Sequence, residues 1–307
     1  MPGRAAAAEE VFLTLTSIPG IEVGHWTDSE NRTDCTVVVL PEPNVTTVEV
    51  RGGAPGTRET DLLAVGMRVE QAQAILLTGG SAFGLAAADG VVRELAADGR
   101  GHPTPAGRVP IVPGAVVFDL PLNGGGRRPG PEEGASAYRA ASVGPVDMGL
   151  VGAGTGTSSA KWRGFEFLVR SGIGSAAIDT PDGHRVAALV VLNPVGDVFT
   201  LEGESLTGGS PVPPAPALPP QAAPATTNTT LVVVATTSAM SRAELTRLAV
   251  RSHDALGACL RPAHTRFDGD VVFVTAIGSD RGDVDLAAEA AFVATGRAIE
   301  AGLRASR

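Results

Sequence analysis

A proline-rich run empties directly into an apolar strand near residue 230, and that junction constrains the chain more than any other feature. Residues 207–227 contain Pro211, Pro213, Pro214, Pro216, Pro219, Pro220 and Pro224. Proline lacks the N–H that helices and sheet ladders need, so the run does not belong inside either. A structureless segment of this length within a compact domain is a linker or a functional element. It ends at Asn228-Thr229-Thr230, and Leu231-Val232-Val233-Val234-Ala235 follows at once. That run has the length and β-branched content of a buried strand. The junction therefore delivers a threonine to the first position of a strand. Were the chain cut before Thr229, that residue would carry a free α-amine beside its own hydroxyl. A hydroxyl with an adjacent amine base is one route to an activated nucleophile. The competing reading is an ordinary Asn-Thr-Thr turn before a strand.

Composition narrows the setting. A length of 307 residues holds one large domain or two small ones. With 43% hydrophobic but only 4% aromatic residues, the core must come from Val, Leu, Ile and Ala. A net charge of −9 without a Lys/Arg block argues against nucleic acid or an anionic membrane as partner. No apolar run approaches the roughly 18 residues of a membrane span. Residues 1–10 lack the apolar centre of a secretory signal and read as a frayed tail. Cys35 and Cys259 are too few and too far apart for a disulfide framework and read as buried thiols of a cytoplasmic protein.

Along the chain, short β runs alternate with helices of small residues. Residues 36–40 and 46–50 read as a pair of strands. Residues 74–77 read as a buried strand that runs through Thr78-Gly79-Gly80-Ser81 into a helix near 82–97. A strand is expected at 115–118, a helix at 134–141, and a strand at 185–192 with 198–201 returning as its hairpin partner. Beyond the tether come a strand at 231–236, a helix opened by the capping box Ser241-Arg242-Ala243-Glu244, a strand at 271–277 and a helix at 286–303. The helix opened at Ser241 places Leu245, Leu248, Ala249, Ser252, Leu256 and Leu260 on one face. The part after residue 228 is too small and too apolar to stand alone, so it should complete a core shared with the first part. The expected class is α/β in the broad α+β sense, with layered sheets covered by helices.

Five constellations could carry chemistry. The Thr229 junction is the first. Asp268-Gly269-Asp270 enters the strand at 271, and two carboxylates two residues apart face the same way on extended chain. They could orient a hydroxyl and raise each other's pKa, or simply make a turn. Gly152-Ala153-Gly154 through Lys161 lacks Walker spacing, while Ser158-x-x-Lys161 matches a pattern of serine acyl-enzymes; a solvent-facing lysine is the bland alternative. Gly79-Gly80-Ser81-Ala82-Phe83-Gly84 is a strand-to-helix turn, or else a substrate wall with backbone amides at a helix N-terminus. Asn193 before Pro194 ends a strand and could donate to an oxyanion, or belong to an Asn-Pro turn. The five histidines show no metal-ligand spacing, and no metal or cofactor is expected.

Taken in order, these segments resemble the self-processing N-terminal-nucleophile aminopeptidases: L-aminopeptidase/D-esterases, β-aminopeptidases and nylon-oligomer hydrolases. The likeness runs from Ile18-Pro19-Gly20-Ile21 to about Ile277. It is carried by Arg51-Gly52-Gly53-Ala54-Pro55-Gly56, Leu77 to Leu85, Gly152 to Lys161, Asn193-Pro194-Val195-Gly196, Asn228-Thr229-Thr230 and Asp268-Gly269-Asp270. The resemblance implies an αββα sandwich of two stacked sheets flanked by helices. It also implies self-cleavage between Asn228 and Thr229 into chains 1–228 and 229–307 of one domain, with residues 207–228 as the tether before the cut. By resemblance Thr229 is the nucleophile, Lys161 and Asn193 lie around it, and Asp268 and Asp270 orient it. Thr229 with two aspartates leans toward the nylon-oligomer hydrolase branch, since aminopeptidase members more often carry Ser and a Ser/Glu pair. Relatives place a Tyr-Asp where this chain has Phe118-Asp119, so a phenol hydroxyl is missing and Asn193 would carry more of the oxyanion task.

The expected function is an autoprocessed amide hydrolase acting on short peptides, amino-acid amides or ω-amino acid oligomers such as 6-aminohexanoate oligomers. Gly80, Ser81 and Phe118 are expected at the substrate. A homotetramer or other homo-oligomer is expected by resemblance. The alternatives are an acyltransferase resembling ornithine acetyltransferase and a non-catalytic binding protein.

Overall fold

Side-chain alternation along doubly covered strands sets the architecture. The computed structural model describes residues 13–122, 124, 126–214 and 228–307. The tail expected at 1–10 and the tether from 215 to 227 lie outside the described residues. In chain order the main strands are β1 (Glu22–Asp28), β2 (Thr33–Val39), β3 (Val45–Val50), β4 (Thr57–Arg58), β5 (Ala74–Thr78), β6 (Gly114–Val116), β7 (Ile173–Asp179), β8 (Arg185–Asn193), β9 (Thr229–Thr236) and β10 (Val271–Ala276). The helices are α1 (Ala87–Ala97), α2 (Pro131–Arg139), α3 (Arg242–Cys259) and α4 (Val284–Ala305). One five-stranded sheet runs β1-β2-β5-β6-β4 and the other β7-β8-β9-β10-β3. The pairs β5–β6 and β9–β10 are parallel.

The central strands read as near-continuous apolar runs because both their faces are covered. In β8 and β9, Ala187, Leu189, Val191, Leu231, Val233 and Ala235 point inward and meet Val38, Ile75, Leu77 and Ala115 of the other sheet. The alternate residues, Val186, Ala188, Val190, Val232 and Val234, face outward and pack under α3 and α4 through Leu245, Leu248, Ala291 and Ile299. On the far side, Val37, Val39 and Leu76 lie under α1 and α2 through Val91, Leu95 and Ala137. The result is the expected αββα sandwich. Ser241 caps α3, accepting from the Glu244 N–H while the Glu244 carboxylate accepts from the Ser241 N–H. Asp283 caps α4 on the amides of Asp285 and Leu286.

Several local expectations need correction. The strands at 36–40 and 46–50 do not pair: β2 and β3 lie in different sheets. Pro41 and Pro43 remove the donors of a tight hairpin, and Asn44 ties the crossing to the carbonyls of Pro41 and Ala72. Residues 198–201 do not return along β8. Asp197–Val198 pairs with Leu260–Arg261 instead, because both edges of β8 are taken by β7 and β9. Strands β1 and β7 went unread, since Gly24, Gly174 and a run of alanines dilute their β character. The helix expected from 82 begins as a 3-10 turn at Ser81–Ala86 and becomes α-helical at Ala87. The strand expected to reach 118 ends at Val116, leaving Phe118 beyond it, and Leu260 follows α3 in a short strand. Cys35 and Cys259 are buried free thiols. Among the described residues no helix is long and apolar enough to cross a membrane.

Candidate active site

Strand β9 begins at Thr229, and its two neighbours gather the site. The antiparallel ladder with β8 sets Asn193 directly across from Thr229. The parallel ladder with β10 starts one step earlier as a bridge between Asn228 and Asp268. Residues far apart in sequence thus converge because three strand ends stop at one level. Asn228, Thr229, Asn193, Asp268, Asp270 and Lys161 are all buried.

At the centre is the Asn228–Thr229 peptide. Thr229 Oγ1 donates to the Asn228 carbonyl oxygen at 2.6 Å. The same oxygen accepts from the Gly269 N–H at 2.6 Å. The nucleophile candidate therefore rests against the carbonyl it would attack, and a backbone donor already polarises that carbonyl. Only glycine fits at 269: a Cβ there would lie 2.9 Å from Thr229 Oγ1 and 2.8 Å from the Ala54 carbonyl oxygen. Gly52 is equally confined, since its Cβ would meet the Asp268 carbonyl oxygen at 2.2 Å. The Arg51–Ala54 backbone closes over the turn by donating to the carbonyls of Asp270, Thr265 and Asp268.

The two carboxylates are fully engaged. Asp268 Oδ1 accepts from Val195 N–H, and Oδ2 accepts from the amide and hydroxyl of Thr265. Burial, then the charge of Asp270, push Asp268 up to about 6. Asp270 Oδ1 accepts from Thr230 N–H at 2.7 Å, fixing the residue after Thr229. Its Oδ2 accepts from the His264 amide and lies 2.8 Å from His264 Nδ1. His264 Nε2 lies 3.4 Å from the His253 carbonyl oxygen. Both ring nitrogens thus face acceptors, which favours the imidazolium. Burial opposes that charge, but the Asp270 carboxylate outweighs it and raises the His264 pKa. Against the His264 ring, 4.9 Å away edge to face, burial drops His253 to about 4.

Lys161 opens a 3-10 turn after Ala160, whose φ of 62° lies in the left-handed region. Its Nζ donates to Asn193 Oδ1 at 2.9 Å and to the Asn193 carbonyl at 3.3 Å. Burial pulls the amine down to about 7, with Asp268 acting the other way. A solvent-facing lysine, the bland reading, is thereby excluded. Asn193 Oδ1 also accepts from Ser158 N–H, and its Nδ2 donates to the Phe118 carbonyl at 3.3 Å. Its amide therefore holds Lys161 and Phe118 here, while Gly269 N–H donates to the Asn228 carbonyl.

Two cavities flank the peptide. One, of about 180 Å³, is lined by Phe118, Pro121, Leu122, Phe165 and Leu168 together with Ser158, Lys161 and Asn228. The other, of about 130 Å³, is lined by Thr229, Phe118, Val116, Ser81, Ala82 and residues 54–56. Phe118 stands in both walls. Gly80 does not line either of these two. Its N–H donates to Asp119 Oδ1 and that of Ser81 to the Val117 carbonyl, so neither amide is available to an anion. Among the described residues no group of three or more His, Cys, Asp or Glu is placed to hold a metal ion.

His264, Thr265 and Gly269 were missed by sequence reasoning as site residues. The search for histidine partners stopped at metal-ligand spacings, whereas Asp270 is six residues on, across a loop. Gly269 could have been flagged as the residue between two buried aspartates, but its donor role needs the Asn228–Asp268 bridge.

Comparison with known proteins gives the family, the enzyme class and the fold. The profile described as Peptidase family S58 matches residues 14–307. An uncharacterised aminopeptidase of Mycobacterium tuberculosis is 41% identical over 289 residues, spanning 87% of this chain and 82% of its own. A 6-aminohexanoate-oligomer endohydrolase of Paenarthrobacter ureafaciens is 30% identical over 295 residues, spanning 89% and 79%. Among solved structures, the L-aminopeptidase D-Ala-esterase/amidase of Ochrobactrum anthropi, described as a variant of the Ntn hydrolase fold, superposes with a TM-score of 0.70 at 19% identity, covering 93% of this chain and 84% of that one. A Burkholderia β-aminopeptidase gives 0.68 at 22% identity, covering 100% and 87%. The structural likenesses carry the fold, and the sequence relatives carry the enzyme class of peptidase or amidohydrolase, which removes the non-catalytic alternative. The chain belongs to peptidase family S58.

Proposed function

We propose that the chain cuts itself between Asn228 and Thr229 and then uses Thr229 as an N-terminal nucleophile on amide substrates. The observation that carries the reading is the Asn228 carbonyl, held between Thr229 Oγ1 and the Gly269 N–H. In processing, Thr229 Oγ gives up its proton and bonds to the Asn228 carbonyl carbon. The C–N bond breaks and the Thr229 nitrogen takes a proton, becoming a free amine. Water then hydrolyses the ester, returning the Thr229 hydroxyl and leaving Asn228 with a carboxylate. Lys161 suits the first proton transfer, since an amine near 7 is partly unprotonated at neutral pH. Gly269 N–H stabilises the oxyanion, and Asp270 holds Thr230 in register. Asn193 positions Lys161, and its Nδ2, with one hydrogen on the Phe118 carbonyl, keeps a second donor for an oxyanion.

The same steps on a substrate release an amine and then a carboxylic acid, with the new α-amine as general base. A free α-amine has a reference pKa of about 7.7–8.0, close to where such a base works best. Chains 1–228 and 229–307 would stay together, because β9 remains hydrogen-bonded to β8 of the first chain. Substrates are short peptides, amino-acid amides or ω-amino acid oligomers.

An intact-mass spectrum tests the first half: two fragments split at 228/229 are expected, and a persistent 307-residue species would sink the reading. Thr229→Ala should abolish both processing and hydrolysis. Adding an amine acceptor separates hydrolysis from acyl transfer, since transfer outrunning hydrolysis would favour the acyltransferase alternative.

A further inference from the structure

The turn before β10 grips Asn228 by its backbone at two points. Asn228 runs parallel to Asp268 as a single bridge. Its N–H donates to the Phe267 carbonyl at 2.7 Å, and its carbonyl accepts from the Gly269 N–H at 2.6 Å. The turn that offers these two groups is itself pinned. Phe267 N–H donates to Thr265 Oγ1, and Asp268 N–H to the Thr265 carbonyl. The Asp268 carbonyl accepts from Ala54 N–H at 2.8 Å, and its carboxylate is tied to Val195 and Thr265. The spacing between the Phe267 acceptor and the Gly269 donor is therefore set before any substrate arrives. Asn228 is 1% exposed, so the grip lies in a desolvated place. A hydrogen-bonding group left unpaired there is costly.

The ester formed in processing and the acyl-enzyme formed in catalysis are the same kind of species. In both, an acyl group sits on Thr229 Oγ beside the free Thr229 amine, and only the acyl residue differs. The groups that hold Asn228 in the first are thus placed for the substrate's acyl residue in the second. Gly269 N–H meets its carbonyl. The Phe267 carbonyl meets whatever stands where the Asn228 nitrogen stood, on the carbon next to that carbonyl. We infer that the Phe267 backbone carbonyl is a specificity determinant that reads the α-nitrogen of the acyl residue, so that amides of α-amino acids are favoured over those whose amine lies farther along the chain. This rests on the proposed role of Thr229 and narrows its substrate class. A carbonyl accepts from an amide N–H and from an ammonium alike, so the contact serves a free amino terminus as well as a peptide interior.

Three p-nitroanilides test it: L-alanyl, its isomer β-alanyl with the amine one carbon farther out, and propanoyl, which has no amine. With protein whose split at 228/229 has been verified by mass, kcat/KM for the L-alanyl compound should exceed both others by about tenfold or more. The comparison of L-alanyl with propanoyl is then repeated at about pH 9, above the reference α-amine pKa of about 7.7–8.0. A neutral amine still donates to a carbonyl, so the preference should persist. A preference that collapses at that pH means that a carboxylate, such as Asp119 next to Phe118, reads the charge instead, and it overturns the inference. Turnover of the β-alanyl compound as fast as the L-alanyl compound, or faster, overturns it as well. Failure of the Thr229 reading looks different: an unsplit chain, or hydrolysis surviving Thr229→Ala.

Discussion

Asp268 and Asp270 are as deeply buried as Asp34 and Asp119, yet the two pairs are held in opposite ways. Every carboxylate oxygen of the first pair accepts a hydrogen bond, from Val195, Thr265, Thr230 or His264. In the second pair, Asp34 Oδ2 takes the Gly156 N–H and Asp119 Oδ1 the Gly80 N–H. Asp34 Oδ1 and Asp119 Oδ2 have no hydrogen-bond partner among the described residues. They face each other across Gly79, where a Cβ would lie 2.3 Å from Asp119 Oδ2 and 3.1 Å from Asp34 Oδ1. Burial, then the charge of Asp119, hold Asp34 well above the usual carboxylate range, and burial raises Asp119 as well. A carboxylic acid can supply an O–H donor between the two facing oxygens. In the first pair every oxygen has a donor, even though burial and the Asp270 charge raise Asp268 to about 6. The second is arranged to lose charge and brace the Gly79-Gly80-Ser81 turn. Depth alone does not make a carboxylate functional; the donors around it decide.

The sharpest way to break this comparison is Asp270→Asn. It removes the charge facing His264, and breaking a buried pair from one side costs about 3 kcal/mol. It also frees Thr230, and a displacement of about 1 Å at a reacting centre slows chemistry about 100-fold. Urea melts and a processing time course on gels should show both effects, and wild-type processing would remove Asp270 from the site.

Next in size is the pH dependence of processing. Asp268 near 6 and Lys161 near 7 both titrate close to neutrality, so the rate of fresh precursor cleavage should climb about tenfold or more from pH 5 to 7.5. Lys161→Arg stays protonated throughout and should process slowly without the rise near 7. A variant that keeps the wild-type profile would exclude Lys161 as proton acceptor.

His264→Gln should have a smaller effect, about 1–2 kcal/mol for a lost charge-assisted hydrogen bond. Because folding raises the His264 pKa, its contribution is complete below the unfolded value of about 6.5 and fades as pH climbs through the folded value. The difference between wild type and variant should therefore shrink on the alkaline side, read as Tm against pH. Asp34→Asn should matter least, within about 1 kcal/mol at pH 5, since an amide can supply the donor the acid supplied. A raised folded pKa means the acid's contribution is lost as pH rises, so the variant should gain on wild type toward pH 8. If Asp34→Asn is as damaging as Asp270→Asn, the distinction between the pairs fails.

Much of the frame was legible in the chain because it is local. Unbroken apolar runs mark β8 and β9, the Ser241–Glu244 box marks α3, and the prolines isolate Thr229. Strand β7 was invisible because Gly174-Ser175-Ala176-Ala177 carries little β preference, and it forms only where α4 and β8 cover it. The partners of residues 198–201 were misread for the same reason: which edge of β8 is free depends on strands far away in sequence.

By itself, the sequence determined that a threonine heads a buried strand after a segment unable to join a sheet, and that two aspartates precede a second strand. Those facts rest on backbone chemistry and on a two-residue period. The tertiary structure alone decided that Gly269 donates to the Asn228 carbonyl, that His264 sits against the Asp270 carboxylate, and that burial lowers the Lys161 pKa. Each depends on distance and desolvation between segments separated in the chain, and neither quantity is written in any local stretch of residues.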